Sequence, residues 1–179
     1  MARYVAFLRA INVGGHTVTM ARLRELFEAF GAHEVSTIVA SGNVLFDVAG
    51  RRTAAALERA IARHLEDALA YPVPAFLRTP AEMSHIAVHD PWAGAPVPTA
   101  TTFVCVLAEA PGVVARRAVA AASTAEDELV VDGRELYWRR HGSFSDSPLG
   151  KRGIEKVTGL TMTVRNVTTM RRVAAALGA

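Results

Sequence analysis

Cysteine is almost absent from this 179-residue chain, in which Cys105 stands alone. A single cysteine cannot form an internal disulfide, so disulfide-stapled secreted domains are excluded and a reducing compartment is the default expectation. Long hydrophobic runs are lacking too, because the apolar N-terminal segment 4–8 ends at Arg9. That segment is too short for a signal-peptide core or a membrane span. We therefore predict a cytoplasmic protein with no membrane-bound part.

Lysine is scarce as well, since eighteen of the twenty basic residues are arginine. The net charge of +3 is unevenly distributed: +2 over residues 1–79 (nine basic, seven acidic), −5 over 80–133 (two and seven) and +6 over 134–179 (nine and three). A basic C-terminal third is typical of a protein that binds an anion. Abundant arginine and alanine also suit a GC-rich genome, so the charge alone does not indicate nucleic-acid binding.

The hydrophobic pattern predicts alternating strands and helices. Apolar residues three and four apart indicate helices over 19–30 and 53–69, and β-branched or apolar runs indicate strands. The strands of the first half lie at 3–8, 34–39, 44–48 and 75–77, the last being a Pro-led edge strand. This order, β-α-β-β-α-β, is that of a ferredoxin-like unit.

The same order returns after a short helix at 80–88 and a linker that contains Gly94, Pro96 and Pro98. Asp132-Gly133, between two predicted strands of this half, is the strongest short hairpin signal in the chain. We therefore predict an α+β protein of two ferredoxin-like halves, 1–79 and 102–179, with a helix and linker at 80–101 and an added C-terminal helix. The strands of the second half are expected at 102–107, 128–131, 135–139 and 161–164, and its helices at 112–122, 148–158 and 168–177.

The first strand of each half is apolar at every position rather than at alternate positions. Strands of this kind are buried on both faces of a sheet. We expect the two halves to pack their sheets together or to share one sheet, unless a second copy of the chain covers them. The sequence therefore leaves a homodimer open.

The predicted topology gathers polar residues in two places. In a βαββαβ unit, the loop after the first strand and the turn between the second and third strands share one end of the sheet. The candidate binding residues at that end are Arg9, Asn12, Gly14, Gly15, His16, Ser41 and Asn43. The third and fourth strands of the second half also end together, near a predicted helix start at Pro148, where amides and basic side chains would form an anion cradle. The candidates there are Arg139, His141, Lys151, Arg165 and Asn166.

Three short motifs in these places carry a resemblance to a known family. They are the run from Arg9 to Gly15, the turn Ser41-Gly42-Asn43-Val44, and Arg165-Asn166 followed by Thr169. Together they resemble domain-of-unknown-function family 1697, an uncharacterised bacterial family. The resemblance covers essentially the whole chain and implies the α+β fold of that family, but it implies no activity.

The chain departs from the pattern of that family at three points. Ala10 replaces a glycine, Val164 replaces a threonine, and Val167-Thr168 replaces a Trp-Asn pair. If that tryptophan stacks on a ligand in relatives, this chain lacks the platform.

Three other patterns in the sequence do not indicate a metal site or a catalytic nucleophile. His85 and His89 have the i, i+4 spacing of two metal ligands, but a surface pair is the more ordinary interpretation, and we predict neither a metal nor a cofactor. Cys105 lies in the middle of an apolar strand, so we expect a buried, inert thiol. Ser41 lacks the Gly-x-Ser-x-Gly elbow of serine hydrolases.

Three functions remain for such a chain. The leading hypothesis is a binding module for a small anionic or phosphate-bearing ligand, or for an RNA end, because of the basic residues and the glycine loop. The alternative is an enzyme for a small substrate, with His16 or His141 as the only plausible general acid or base. The third is a ligand-free interaction protein, which a large apolar surface patch would indicate. The sequence chooses neither a substrate nor an oligomeric state.

Overall fold

A computed structural model describes residues 1–12, 14–38, 42–50, 52–92 and 99–179 of the chain. The predicted Gly/Pro linker and the end of the predicted strand at Val39 lie outside these ranges. The chain forms two compact units, the first made of Met1–Ala87 with Arg171–Ala179 and the second of Val88–Met170.

The first unit contains one antiparallel sheet with the strand order β2-β3-β1-β4 in the described residues. This is the predicted β-α-β-β-α-β arrangement, and the Pro-led strand β4 lies at an edge as expected. A further helix, α3, follows the sheet. The elements are β1 Ala2–Leu8, α1 Met20–Ala29, β2 Ala32–Thr37, β3 Asn43–Val48, α2 Ala54–Leu69, β4 Ala75–Arg78 and α3 Pro80–Val88.

The helices of this unit begin at threonine residues whose hydroxyl groups cap the first turn. Thr19 and Thr53 accept hydrogen bonds from the amides of Arg22 (3.1 Å) and Ala56 (3.3 Å). At α3 Thr79 and Glu82 form a capping box, because the Thr79 amide donates to Glu82 Oε2 (2.8 Å) and the Glu82 amide donates to Thr79 Oγ1 (3.3 Å). Among the described residues, none of the helices combines the length and the hydropathy that a membrane span requires.

Strand β1 is buried on both faces. Its last four residues, Val5, Ala6, Phe7 and Leu8, are each at most 2% exposed. Ala6 and Leu8 pack in a cluster with apolar residues of α1 and α2, whereas Val5 and Phe7 point to the opposite face by strand alternation. The expectation from continuous apolarity is therefore confirmed.

The second unit holds a separate sheet with the order β6-β7-β5-β8 in the described residues. It is the second ferredoxin-like arrangement, and β5 shows the same burial on both faces, since residues 104–107 are at most 1% exposed. Two sheets rather than one shared sheet are present. The elements are β5 Ala100–Leu107, α4 Val113–Ala122, β6 Asp127–Asp132, β7 Glu135–His141, α5 Pro148–Arg152, α6 Ile154–Thr158 and β8 Met162–Asn166. The last helix, α7 Val167–Leu177, begins in this unit, and its residues from Arg171 onward belong to the first unit.

Two local predictions in this unit are wrong in detail. The helix expected over 148–158 is broken into α5 and α6 by Gly153, whose φ of +80° is not helical. The hairpin turn is Gly133-Arg134 rather than Asp132-Gly133, because Asp132 still pairs with Glu135. Gly133 has φ +56°, which suits the first central position of a two-residue turn.

One face of the second sheet packs on helices. Leu136 and Trp138 of β7 lie in a cluster with Cys105, Val119 of α4 and Leu149 of α5. Burial raises the pKa of the Cys105 thiol, with a smaller contribution from the charge of Glu155, as expected for an unreactive cysteine. Alternate residues of β7 therefore point away from these helices, which decides where the polar side chains of this strand lie.

In the first unit, Gly42 joins the β2–β3 turn to the loop after β1. Its carbonyl accepts a hydrogen bond from the Leu8 amide at 2.8 Å. Its φ is +71°, and a Cβ at this position would lie 3.2 Å from the Cβ atoms of both Leu8 and Ile11. The predicted meeting of loop and turn at one end of the sheet is thus confirmed, and it depends on a residue without a side chain.

We expect Gly42→Ala to lower the free energy of unfolding by about 2 kcal/mol, because it adds left-handed backbone strain to a tight contact. Gly50→Ala is the matched control, since Gly50 has φ +100° but no atom within 4 Å of an added Cβ. Urea denaturation of both variants measures the difference. An equal loss of stability in the two variants would show that the contact with Leu8 and Ile11 contributes nothing.

Candidate functional site

The loop after β1 is held in an unusual backbone conformation. Gly14 and Gly15 have φ +63° and +88°, and the non-glycine residues Ala10 and Asn12 also have positive φ, +62° and +57°. Asn12 Oδ1 accepts a hydrogen bond from the Val18 amide at 2.8 Å, which closes the loop onto the start of α1. The glycines and Asn12 are exposed, so the loop presents backbone to solvent.

The other predicted residues of this end have mainly structural contacts. His16 is exposed and stacks on Tyr71, with 3.9 Å between ring centroids. Asn43 is fully buried, and its side-chain amide donates to the Ile38 carbonyl at 3.0 Å. The Arg9 amide donates to the Pro74 carbonyl at 2.9 Å. Ser41, the remaining candidate, lies outside the described residues.

The end of β7 carries a chain of charged side chains. Arg139 donates through Nε and Nη2 to the two oxygens of Glu128, each at 2.9 Å. Its guanidinium also lies over the ring of Trp92, 4.5 Å from the centroid. His141 Nε2 lies 2.5 Å from Glu128 Oε1. The strand register aligns these groups, because Glu128 is opposite Arg139 and His141 is two residues farther along the same face.

Glu128 is ionised at neutral pH. Hydrogen bonding from Arg139 is the largest influence and lowers the pKa of this carboxyl; burial comes second and raises the pKa, and the hydrogen bond with His141 lowers it further. Arg139 is consequently neutralised by its partner. Its charge contributes little to an anion site.

The remaining basic candidates are dispersed. Partial burial lowers the pKa of the Arg165 guanidinium to about 10, so it stays charged at neutral pH, and its Nη1 donates to Thr163 Oγ1 at 2.8 Å. Asn166 Oδ1 accepts from the Thr169 amide at 2.8 Å and so caps α7. Lys151 is exposed on α5, a helix packed on the opposite face of the sheet from Arg139. The structure thus brings Arg139 and His141 together but not Lys151.

A buried carboxylate organises the helix-covered face. Asp127 is 1% exposed and accepts hydrogen bonds from Trp138 Nε1 (2.8 Å) and from Ser147 Oγ (2.9 and 3.0 Å). Arg140 Nη1 lies 3.5 Å from its Oδ2. Ser147 in turn accepts from the Gly150 amide (3.0 Å), so the carboxylate fixes the start of α5.

Beside Asp127 an open groove runs between α4 and the α5–α6 pair. Its volume is about 450 Å³, within the range of small-molecule sites. Its surface is largely apolar, and its one exposed ionic side chain is Arg152. The lining residues are Ala118, Ala121, Ala122, Thr124, Asp127, Pro148, Leu149, Arg152 and Val157.

Sequence reasoning missed Glu128, Trp92 and the alanines of the groove. The pairing of Glu128 with Arg139 follows by counting outward from the turn only when the turn is taken as Gly133-Arg134 rather than Asp132-Gly133. The groove could not, since it depends on how α4 meets two short helices. His89, the second histidine of the noted pair, lies with Nε2 3.5 Å from Asp132 Oδ2.

Comparison with known proteins agrees with the fold. Residues 1–137 match the family described as protein of unknown function (DUF1697). The conserved bacterial protein SP0830 from Streptococcus pneumoniae superposes with a TM-score of 0.71 at 17% sequence identity, covering 100% of this chain and 99% of that one. At this identity the likeness shows the fold alone. No curated protein matches the chain.

We expect Ala10→Gly to raise the free energy of unfolding by about 0.5–1 kcal/mol. Glycine removes the left-handed strain at φ +62°, and this outweighs its larger unfolded-state entropy. Ala62→Gly, in the middle of α2, is the control and should instead lose about 1 kcal/mol. Thermal or urea unfolding measures both. A destabilised Ala10→Gly would mean that the loop is not strained there.

Glu128→Gln should lower the free energy of unfolding by about 1 kcal/mol at pH 7, because a charged, two-bond pair with Arg139 becomes neutral. The pKa of Glu128 is lowered in the folded state, so its contribution is present above the ordinary carboxyl pKa. It disappears as the pH falls through the lowered value. Urea unfolding between pH 7 and pH 3 should therefore show the variant converging on the parent. Glu126→Gln, at an exposed side chain outside this cluster, should show no such convergence.

Proposed function

Since the chain belongs to the DUF1697 family, whose function is unknown, we propose a function from its geometry: it is a binding module for a small organic anion with an apolar body. The site is the groove between α4 and the α5–α6 pair. The observation that carries the proposal is the combination of an apolar groove of about 450 Å³ with one solvent-facing guanidinium, that of Arg152.

The charges around the groove support an anion rather than a cation. Asp127 also lines it, but its carboxylate already accepts from Trp138 and Ser147 and faces Arg140. Within the described ranges, no carboxylate lies within ion-pair distance of Arg152. A carboxylate or phosphate would thus find a bidentate donor in Arg152.

The residues that line the groove favour a ligand whose apolar part is narrow. Ala118, Ala121 and Ala122 form the α4 side, and their methyl groups leave the space that larger side chains would fill. Leu149 and Val157 supply apolar surface on the facing side. An aliphatic or single-ring acid fits this chemistry better than a polar sugar phosphate does.

The RNA alternative has less support from the geometry. Arg139 is neutralised by Glu128, and Lys151 lies on the other face of the sheet from Arg139 and Arg165. A phosphate backbone needs several cations on one surface.

The test is a titration of ¹⁵N-labelled protein with straight-chain carboxylates of four to eight carbons, benzoate and inorganic phosphate, followed by amide shifts. We expect saturable shifts in α4, α5 and α6 for at least one carboxylate. Arg152→Gln should weaken binding about ten-fold, as the loss of one charge-assisted contact predicts.

Two variants make this test specific. Lys151→Gln removes the neighbouring cation, which does not line the groove, and should change the affinity less than about two-fold. Ala121→Phe should fill the groove and abolish the shifts. The proposal fails if no probe gives saturable shifts, or if Arg152→Gln and Lys151→Gln weaken binding equally.

A further inference from the structure

The end of β7 holds an imidazole with a defined proton arrangement. Arg139 donates to both oxygens of Glu128, which keeps this carboxyl ionised, so it can only accept hydrogen bonds. His141 Nε2 lies 2.5 Å from Glu128 Oε1 and must therefore carry the proton of this contact. In the neutral ring the lone pair is then on Nδ1, and no residue in the described ranges donates a hydrogen bond to this nitrogen.

The carboxylate of Glu128 is itself held in place by neighbouring side chains. The guanidinium of Arg139 binds it through two donors, and the Cζ of this group lies over the ring of Trp92, 4.5 Å from the centroid. A guanidinium held by two hydrogen bonds and by a contact with an aromatic ring has little freedom to rotate. Trp92, Arg139 and Glu128 thus orient His141 in series, as an activated base requires.

Small molecules can reach this imidazole. The side chain of His141 is 26% exposed. Its neighbour across the sheet on β5 is Ala100, whose methyl group occupies little of the space beside the ring. Gly142 follows in the chain and adds no side chain.

We propose that His141 is a general base, positioned by Glu128, that activates water for the hydrolysis of small activated acyl esters. Nδ1 takes a proton from water while the water oxygen bonds to the acyl carbon. The ester C–O bond then breaks, and the alcohol leaves with the proton that the imidazolium returns. Ester and water become acid and alcohol, so no cofactor or oxidant is needed. This activity goes beyond the proposed ligand binding, which concerns the helix-covered face of the sheet.

The test uses 4-nitrophenyl acetate and the full chain, with the release of nitrophenolate followed at pH 7.5. We expect His141→Ala to lower the protein-catalysed rate about ten-fold or more, in keeping with the usual contribution of a general base. His33→Ala is the matched control, since His33 is also an exposed histidine but lies on β2 of the first unit. It should change the rate less than two-fold.

Glu128→Ala separates positioning from a structural role. We expect it to lower kcat more than it raises KM. We also expect long-range ¹⁵N–¹H spectra of the imidazoles to show His141 protonated on Nε2 in the parent and as a tautomer mixture in the variant. Circular dichroism checks that the variant is folded. The proposal is overturned if the parent shows no hydrolysis, if His141→Ala retains the rate, if His33→Ala loses the rate equally, or if the tautomer of His141 does not change in Glu128→Ala.

Discussion

The buried carboxylate of Asp127 is the contact on which the second unit depends most. It lies at the start of β6, accepts the indole N–H of Trp138 on β7, and accepts the hydroxyl of Ser147, which caps α5. A buried carboxylate is tolerated only when its oxygens are satisfied, and here Arg140 supplies the compensating charge. Through these contacts one side chain fixes a hairpin, a helix start and one wall of the groove.

The register of the β6–β7 hairpin also determines which side chains lie on the opposite face of this sheet. With Asp132 opposite Glu135, Asp127 faces Arg140 and Glu128 faces Arg139. Because side chains alternate along a strand, the first pair points toward the helices and the second away from them. A slip of one residue would exchange the faces and place a carboxylate–arginine pair where Trp138 now packs. The groove and the His141 cluster are thus two consequences of a single register.

The order of elements could be predicted from the sequence because each element carries its own local signal. Thr19, Thr53 and the Thr79–Glu82 box mark helix starts, and continuous apolar strands mark burial on both faces. The site could be predicted only in part. The sequence indicates Asp132-Gly133 as the two turn residues. Pairing the strands from that turn places Tyr137 opposite Glu128, whereas the observed partner is Arg139. The break at Gly153 and the contact of Ser147 with Asp127 are set by tertiary structure, which no local pattern contains.

Net charge is a poor guide to function in this chain because most of the basic residues of the last third have internal partners. Arg139 is bound to Glu128, and Arg165 donates to residues of its own strand. Arg140 lies beside the carboxylate of Asp127 and donates hydrogen bonds to the carbonyls of Glu126 and Ser143. The guanidinium of Arg152 differs from these in its surroundings rather than its chemistry, since it faces solvent beside apolar surface. An anion gains most where a cation is both exposed and next to a surface that excludes water. That condition, rather than the sum of charges, selects the groove over the cluster of basic residues that the sequence suggests.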